Sequence, residues 1–260
     1  MLDRAAPWYR PVRDELTALR AACAIDLPVL LKGPTGCGKS RLVEHIAHEL
    51  GRPLVTVACN DETSAADLVG RFLLKGGETL WQDGPVSRAV RSGAVLYLDE
   101  IAEAREDVLV VIHPLADHRR ELWVDRLDER VRAQPGFHLI ASFNPGYRRG
   151  VKDLKPSTRQ RFVSIAMNYP EAELEAEIVE HESGCTAATA KKLVSLAKKV
   201  RSLDELSLAE TVSTRLLIAA AGLIVKGLEP RLACHVAVIE PLSDDPEVLV
   251  PLRDLDNLVF

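Results

Sequence analysis

Short apolar runs alternate with stretches of helical spacing along the first part of the chain, and helical spacing alone governs the remainder. Residues 28–32, 53–59, 94–98, 137–143 and 162–166 are compact apolar runs bounded by turn residues, the pattern of strands buried in a parallel sheet. Between them, 11–25 places Leu16, Leu19 and Cys23 on one helical face. Residues 40–50 do the same with Leu42, Val43, Ile46, Ala47 and Leu50, before Gly51 ends the helix. Further helices are predicted over 61–72, 85–91, 107–116 and 156–161. Two segments have the two-armed pattern of a β-hairpin. One is 73–82, centred on Gly76-Gly77; the other is 121–133, with Leu122-Trp123-Val124 in one arm and Arg130-Val131-Arg132 in the other. After Tyr169-Pro170 only helices are predicted, over 171–182, 186–201, 207–226 and 229–239, then a capped segment from Ser243 that runs to Val259-Phe260. Strands alternating with helices, then helices alone, predict an α/β domain over 1–170 and a small all-α domain over 171–260.

Composition narrows the function classes. A chain of 260 residues suffices for a large domain plus a small one. Its net charge of −5 supplies no bulk positive field to draw it onto nucleic acid or an anionic membrane. Five cysteines without a Cys-x-x-Cys pair argue against a disulfide framework or a Cys-rich zinc site, and fit a reducing cytoplasm. The longest apolar run, 216–225, is too short to span a bilayer, and the N-terminus has no signal-peptide core. The expectation is a cytoplasmic protein with no membrane insertion.

The chemistry concentrates at strand ends. Gly33-Pro34-Thr35-Gly36-Cys37-Gly38-Lys39-Ser40 follows a predicted strand and opens a predicted helix, the context a phosphate-binding loop needs. Its glycines let backbone N–H groups turn toward phosphate oxygens at a helix N-terminus. Lys39 is expected to reach the β- and γ-phosphates of ATP, and Ser40 to ligate Mg2+. The run 95–98 ends in Asp99-Glu100, delivering two carboxylates to the carboxyl edge of the sheet. Asp99 is expected to hold the metal through water, and Glu100 to polarise the attacking water. Alone, this pair would read as a helix cap; beside a phosphate loop the catalytic reading is stronger. Asn144 closes the fourth strand and suits contact with the attacking water and γ-phosphate, a role compatible with an Asn-Pro turn.

Three arginines complete the set. Arg159 and Arg161 lie just before the fifth strand, and Arg215 opens an apolar helix of the second domain. A surface arginine is ordinarily only solvated or ion-paired, but phosphoryl transfer gains from an arginine supplied by a neighbouring chain. An arginine given in trans requires a head-to-tail interface, and implies that an isolated subunit hydrolyses ATP poorly.

In this order, phosphate loop, apolar strand with Asp-Glu, strand-end Asn, Arg-x-Arg-Phe and Ser-Thr-Arg, the chain resembles the AAA+ ATPases, and its hairpins resemble the helix-2 and pre-sensor-1 insertions of the MoxR branch. The stretches 31–40, 81–85, 111–117 and 144–147 resemble the CbbQ/NorQ group within it. The resemblance covers essentially the whole chain. It implies an α/β P-loop AAA+ parallel-sheet domain with β-hairpin insertions followed by a small all-α lid domain. Lys39 takes the Walker A position, Asp99 and Glu100 Walker B, Asn144 sensor 1 and Arg215 sensor 2, with Arg161, flanked by Arg159, as the arginine finger. It also implies a homo-hexameric ring working with a separate von Willebrand A-domain adaptor of the CbbO type. The implied client is inhibited Rubisco or, alternatively, nitric oxide reductase undergoing maturation. A DNA-directed AAA+ motor lacks support in the charge and in the absence of a basic arm, and a non-hydrolysing nucleotide switch has no need of Glu100. Among weaker signals, Trp123 is expected to pack across its hairpin, Trp81 is left open between packing and client contact, and Cys37 is expected to fill the loop as a small residue. His113 and His118 lack metal-ligand spacing.

Overall fold

The computed structural model describes residues 6–145, 154–203 and 211–257. They form two compact units: one holds the described residues of Met1–Gly33 and Gly38–Met167, the other those of Pro34–Cys37 and Asn168–Phe260.

In the first unit, five parallel strands make one sheet: β1 (Val29–Lys32), β2 (Leu54–Ala58), β5 (Val95–Asp99), β8 (His138–Phe143) and β9 (Val163–Ala166), in the order β2-β5-β8-β1-β9. The three central strands are the most buried, and β8 is buried along its whole length. The helices are α1 (Glu15–Ala24), α2 (Lys39–Glu49), α3 (Ala65–Val69), α4 (Pro85–Ser92), α5 (Glu106–Ile112) and α6 (Pro156–Arg159). Helix α2 buries Lys39, Leu42, Val43, Ile46 and Ala47, an i, i+3, i+4 stripe. Gly51, at φ +62°, ends it: its N–H bonds the His48 carbonyl and that of Arg52 bonds the Ala47 carbonyl, both at 3.0 Å, so the last carbonyls are satisfied.

Both hairpins form. β3 (Gly70–Lys75) pairs with β4 (Glu78–Asp83), and β6 (Glu121–Val124) with β7 (Glu129–Arg132). The first is longer than its predicted 73–82, and the helix predicted over 61–72 is only α3. Ser64 and Asp67 form a reciprocal capping box at its start, and Gly70 at φ +144° turns the chain into β3. The helix predicted over 107–116 stops at Ile112, ahead of Pro114.

The second unit contains α7 (Ala172–Ser183), α8 (Ala187–Arg201), α9 (Thr214–Val225), α10 (Pro230–Cys234) and α11 (Pro246–Asn257), with a wide π-helical turn over His235–Ile239. Val179, Leu193, Leu196, Leu217, Ala221, Val238 and Leu252 share its core. Helix α9 starts at Thr214, capped by Ser213, later than the predicted start at 207, which itself lies outside the described residues. The capped segment expected from Ser243 is α11, where Asp245 Oδ1 accepts the Glu247 N–H at 2.9 Å; Val259 and Phe260 lie outside the described residues. No helix among the described residues is long and apolar enough to cross a membrane.

Candidate active site

Three neighbouring strands end together. Register pairs Lys32 of β1 with Phe143 of β8, and Leu98 of β5 with Ala141 of β8, so Gly33, Asp99 and Asn144 emerge at one edge. Open α/β sheets place ligands at this carboxyl edge.

The phosphate loop leaves β1 there. Gly33 is held by its N–H on the Phe143 carbonyl at 3.4 Å. Gly36 at φ +71° and Gly38 at φ +98° take the left-handed conformations that let successive amides face inward. Gly38 is the N-cap of α2, which follows at Lys39. The Lys39 ammonium, buried, donates to the Gly33 carbonyl at 2.7 Å and to Asn144 Oδ1 at 2.6 Å. Residues of the phosphate loop and of the β8 end are thus joined across 105 positions of sequence.

The carboxylates follow the same logic. The fully buried run of β5 pushes Asp99 to the rim. Asp99 Oδ1 accepts from the Tyr97 hydroxyl at 2.8 Å and from the Ser142 hydroxyl at 2.5 Å, while the Ser142 oxygen accepts the Glu100 N–H at 3.1 Å. The Tyr97 oxygen also lies 3.3 Å from Ser40 Oγ. Tyr97 is 1% exposed, and burial pushes its hydroxyl pKa up, so it remains a hydrogen-bond donor. Cys59, on the loop after β2, has its thiol raised to about 12 by burial and then by the Asp99 and Glu100 charges. Glu100 sits at φ +54°, ψ +45°, left-handed for a residue with a side chain, and is exposed.

The motif pattern of the sequence does not point to Ser142 or Tyr97. Their signal is one hydroxyl in each of two buried, mostly apolar strands.

Lys39, Ser40, Asp99, Glu100 and Asn144 are therefore brought together. Arg159 closes α6, half-buried, and Arg161 follows it, exposed, with Nη1 4.0 Å from Asp117 Oδ2. Asp117 is held at a pKa of about 2, chiefly by its hydrogen bond from Arg119. His113 Nε2 lies 3.1 Å from Thr158 Oγ1 on α6. Its pKa is lowered by burial and then by the Arg161 charge, which favours a neutral imidazole. Trp123 does pack across its hairpin, under the Arg130 guanidinium at 5.0 Å from the ring centre. Trp81 packs too, edge-on to Phe72, with Nε1 donating to Asp83 at 2.7 Å.

In the second unit, Pro34–Cys37 group with the helices. Cys37 is buried, in keeping with a small filling residue. The Thr35 carbonyl accepts the Tyr169 hydroxyl at 2.8 Å. A Cβ on Gly36 would lie 2.6 Å from Ser213 Cβ and 3.4 Å from Arg215 Cβ, so this loop position needs glycine for space as well as for its φ. Arg215, second residue of α9, is exposed.

Residues 28–162 match the family described as AAA domain (dynein-related subfamily), and 175–259 match CbbQ/NirQ/NorQ C-terminal. The chain is 57% identical to Protein NorQ of Paracoccus denitrificans, over 98% of this chain and 94% of that protein. It is 54% identical to Protein CbbQ of Hydrogenophilus thermoluteolus, over 100% and 97%. It is also 52% identical to the denitrification regulatory protein NirQ of Pseudomonas aeruginosa, over 98% of both. Among solved structures, a Thermotoga maritima RuvB mutant superposes with a TM-score of 0.57 at 18% identity, over 94% of this chain and 69% of that one, which is a likeness of fold. The chain belongs to the MoxR-type CbbQ/NirQ/NorQ family of AAA+ proteins and is an ATPase.

Proposed function

We propose that this chain is the motor subunit of a homo-hexameric ring that spends ATP on remodelling a client protein, with residues 1–170 as the nucleotide domain and 171–260 as the helical domain. The observation that carries the reading is the joining of Lys39 to Asn144 at the sheet edge where Asp99 and Glu100 also emerge. In this reading the amides of Gly33–Ser40 and the Lys39 ammonium bind the phosphates. The oxygens of Ser40 and Asp99, both within reach of the Tyr97 hydroxyl, are the hard donors that suit Mg2+. Bound there, the ion would neutralise phosphate charge. Glu100 orients and polarises a water for in-line attack on the γ-phosphate, and Asn144 helps hold that water. Arg215 and, from the neighbouring subunit, Arg161 with Arg159 beside it stabilise the charge that develops.

A separate von Willebrand A-domain adaptor of the CbbO type recruits the client in this proposal. The client is inhibited Rubisco, as the resemblance to the CbbQ group implies. A second reading, maturation of nitric oxide reductase, is implied by the same resemblance, and a denitrification regulatory protein is among the similar chains.

The test is ATPase activity of the purified chain, alone and with a co-expressed adaptor, with inhibitor-bound Rubisco as client. Glu100→Gln is expected to keep nucleotide affinity and lower turnover about 100-fold or more. Undiminished turnover removes Glu100 from the mechanism. Adaptor-dependent recovery of carboxylation selects Rubisco; ATP turnover without it, in a functional complex, moves the client to nitric oxide reductase or another metalloenzyme.

A further inference from the structure

The entry to α9 is anchored by a cluster the catalytic motifs do not include. Thr214, first residue of that helix, donates its hydroxyl to Glu175 Oε1 at 2.6 Å. Glu175, on α7, is only 1% exposed, and both its oxygens are taken by Arg201 at the end of α8, at 2.7 and 2.8 Å. The third donor used by that guanidinium, Nε, goes to the Val212 carbonyl at 2.8 Å. Its plane lies over the Tyr169 ring, 4.1 Å from the centre, and the Tyr169 hydroxyl donates to Thr35 at the tip of the phosphate loop. Every described arm of the pair therefore leads either to the segment 212–214 that ends at Arg215, or to the loop tip. Ser213 in between lies against Gly36, and Arg215 Cβ is next nearest.

A buried ion pair is weak evidence for stability, because desolvating two charges offsets most of their attraction, and apolar residues of like volume fill such a site as well. What an ion pair with fixed forked geometry supplies is direction. We propose that Glu175 and Arg201 are positioning residues: through Thr214 and the Val212 carbonyl they fix where Arg215 leaves α9 relative to Thr35 and Gly36, and through Tyr169 they hold that loop tip. Neither touches the nucleotide. A misplacement of about 1 Å at a phosphoryl-transfer site is enough to cost about 100-fold in rate. The inference rests on the reading that Arg215 acts on ATP.

Removing Glu175 or Arg201 outright would leave a buried unpaired charge, so the test uses Thr214→Val, which deletes one hydroxyl and keeps the shape. Steady-state ATPase of the full chain is measured for Thr214→Val, Arg215→Ala, the double variant and Thr214→Ser, with thermal melting as the check on folding. Thr214→Val is expected to lower kcat about tenfold while KM stays within about twofold. Arg215→Ala is expected to lower it further, and the double variant to be no slower than Arg215→Ala alone, because Thr214 acts through Arg215. Thr214→Ser, which keeps the hydroxyl, is expected to recover most of the rate. An unchanged kcat in Thr214→Val, a double variant whose losses multiply, or a Ser variant as slow as Val overturns the inference while leaving the site reading intact. A fully active Arg215→Ala overturns the role of Arg215 itself and the inference with it.

Discussion

The two hairpins of the first unit share a topology and differ in where their apolar side chains go. In the β6-β7 hairpin, Leu122 pairs with Val131, and both are buried with Val124 against the core, while Trp123 and Arg130 stack on the outer face. Buried and outward positions alternate: Leu122, Val124 and Val131 face the core, and Trp123, the apolar residue turned outward, is covered in part by Arg130, so one face is buried and the other solvated. In the β3-β4 hairpin, Phe72, Leu73 and Leu74 are consecutive, and consecutive strand residues point to opposite faces. No single docking of that hairpin onto its own core can bury all three: Leu74 is 79% exposed, and Phe72, Leu73 and Leu80 are exposed as well. One hairpin is part of the core; the other stands on it by its base. There Trp81 bonds Asp83, and Arg91 of α4 joins Asp83 at 3.1 Å to Glu129 of the other hairpin at 2.8 Å.

This contrast can be broken in four steps of falling size. Leu122→Ala, at a site with 0% exposure, is expected to cost about 3 kcal/mol, read as a lower midpoint in urea unfolding monitored on the whole chain. A loss under about 1 kcal/mol would mean the second hairpin is not part of the core. Gly70→Ala is expected to cost about 2 kcal/mol, since its Cβ would lie 2.5 Å from the Trp81 ring and its φ is +144°. Unchanged stability there would show that the base of the first hairpin adjusts freely. Arg91→Met removes the link between the hairpins. Because the side chain is about one-third exposed, solvent screening limits the expected loss to about 1 kcal/mol at most, with its salt dependence disappearing in the variant. Leu74→Ser is expected to shift stability by no more than about 0.5 kcal/mol. A loss as large as that of Leu122→Ala would erase the distinction between the two hairpins.

The same spacing explains what the sequence revealed and what it hid. The strands and the phosphate loop are written in contiguous runs, so the spacing of Gly33–Ser40, Asp99 and Asn144 along the chain is enough to put them at the sheet edge. The helix predicted over 61–72 failed because Leu68, Val69 and Phe72 have helical spacing; only pairing of Phe72 with Trp81 makes the last of them a strand residue. The residues that orient the motifs stayed hidden for a related reason. Ser142 meets Asp99 across 43 positions, and Glu175 meets Thr214 across 39, and no local pattern announces either pairing. Ser142 carries a faint signal as the one hydroxyl within His138–Phe143, whereas Glu175 looks like any other acid of an acidic helix.

Glu100 bears on how the protein would respond to selection. Its backbone conformation is one that glycine or asparagine adopts more comfortably, by about 1 kcal/mol. A library of variants screened only for heat resistance should therefore enrich replacements at this position, while one screened for ATP turnover should purge them. Opposite enrichment in the two screens at a single codon would mark where evolution has kept a reactive group against the preference of its own main chain.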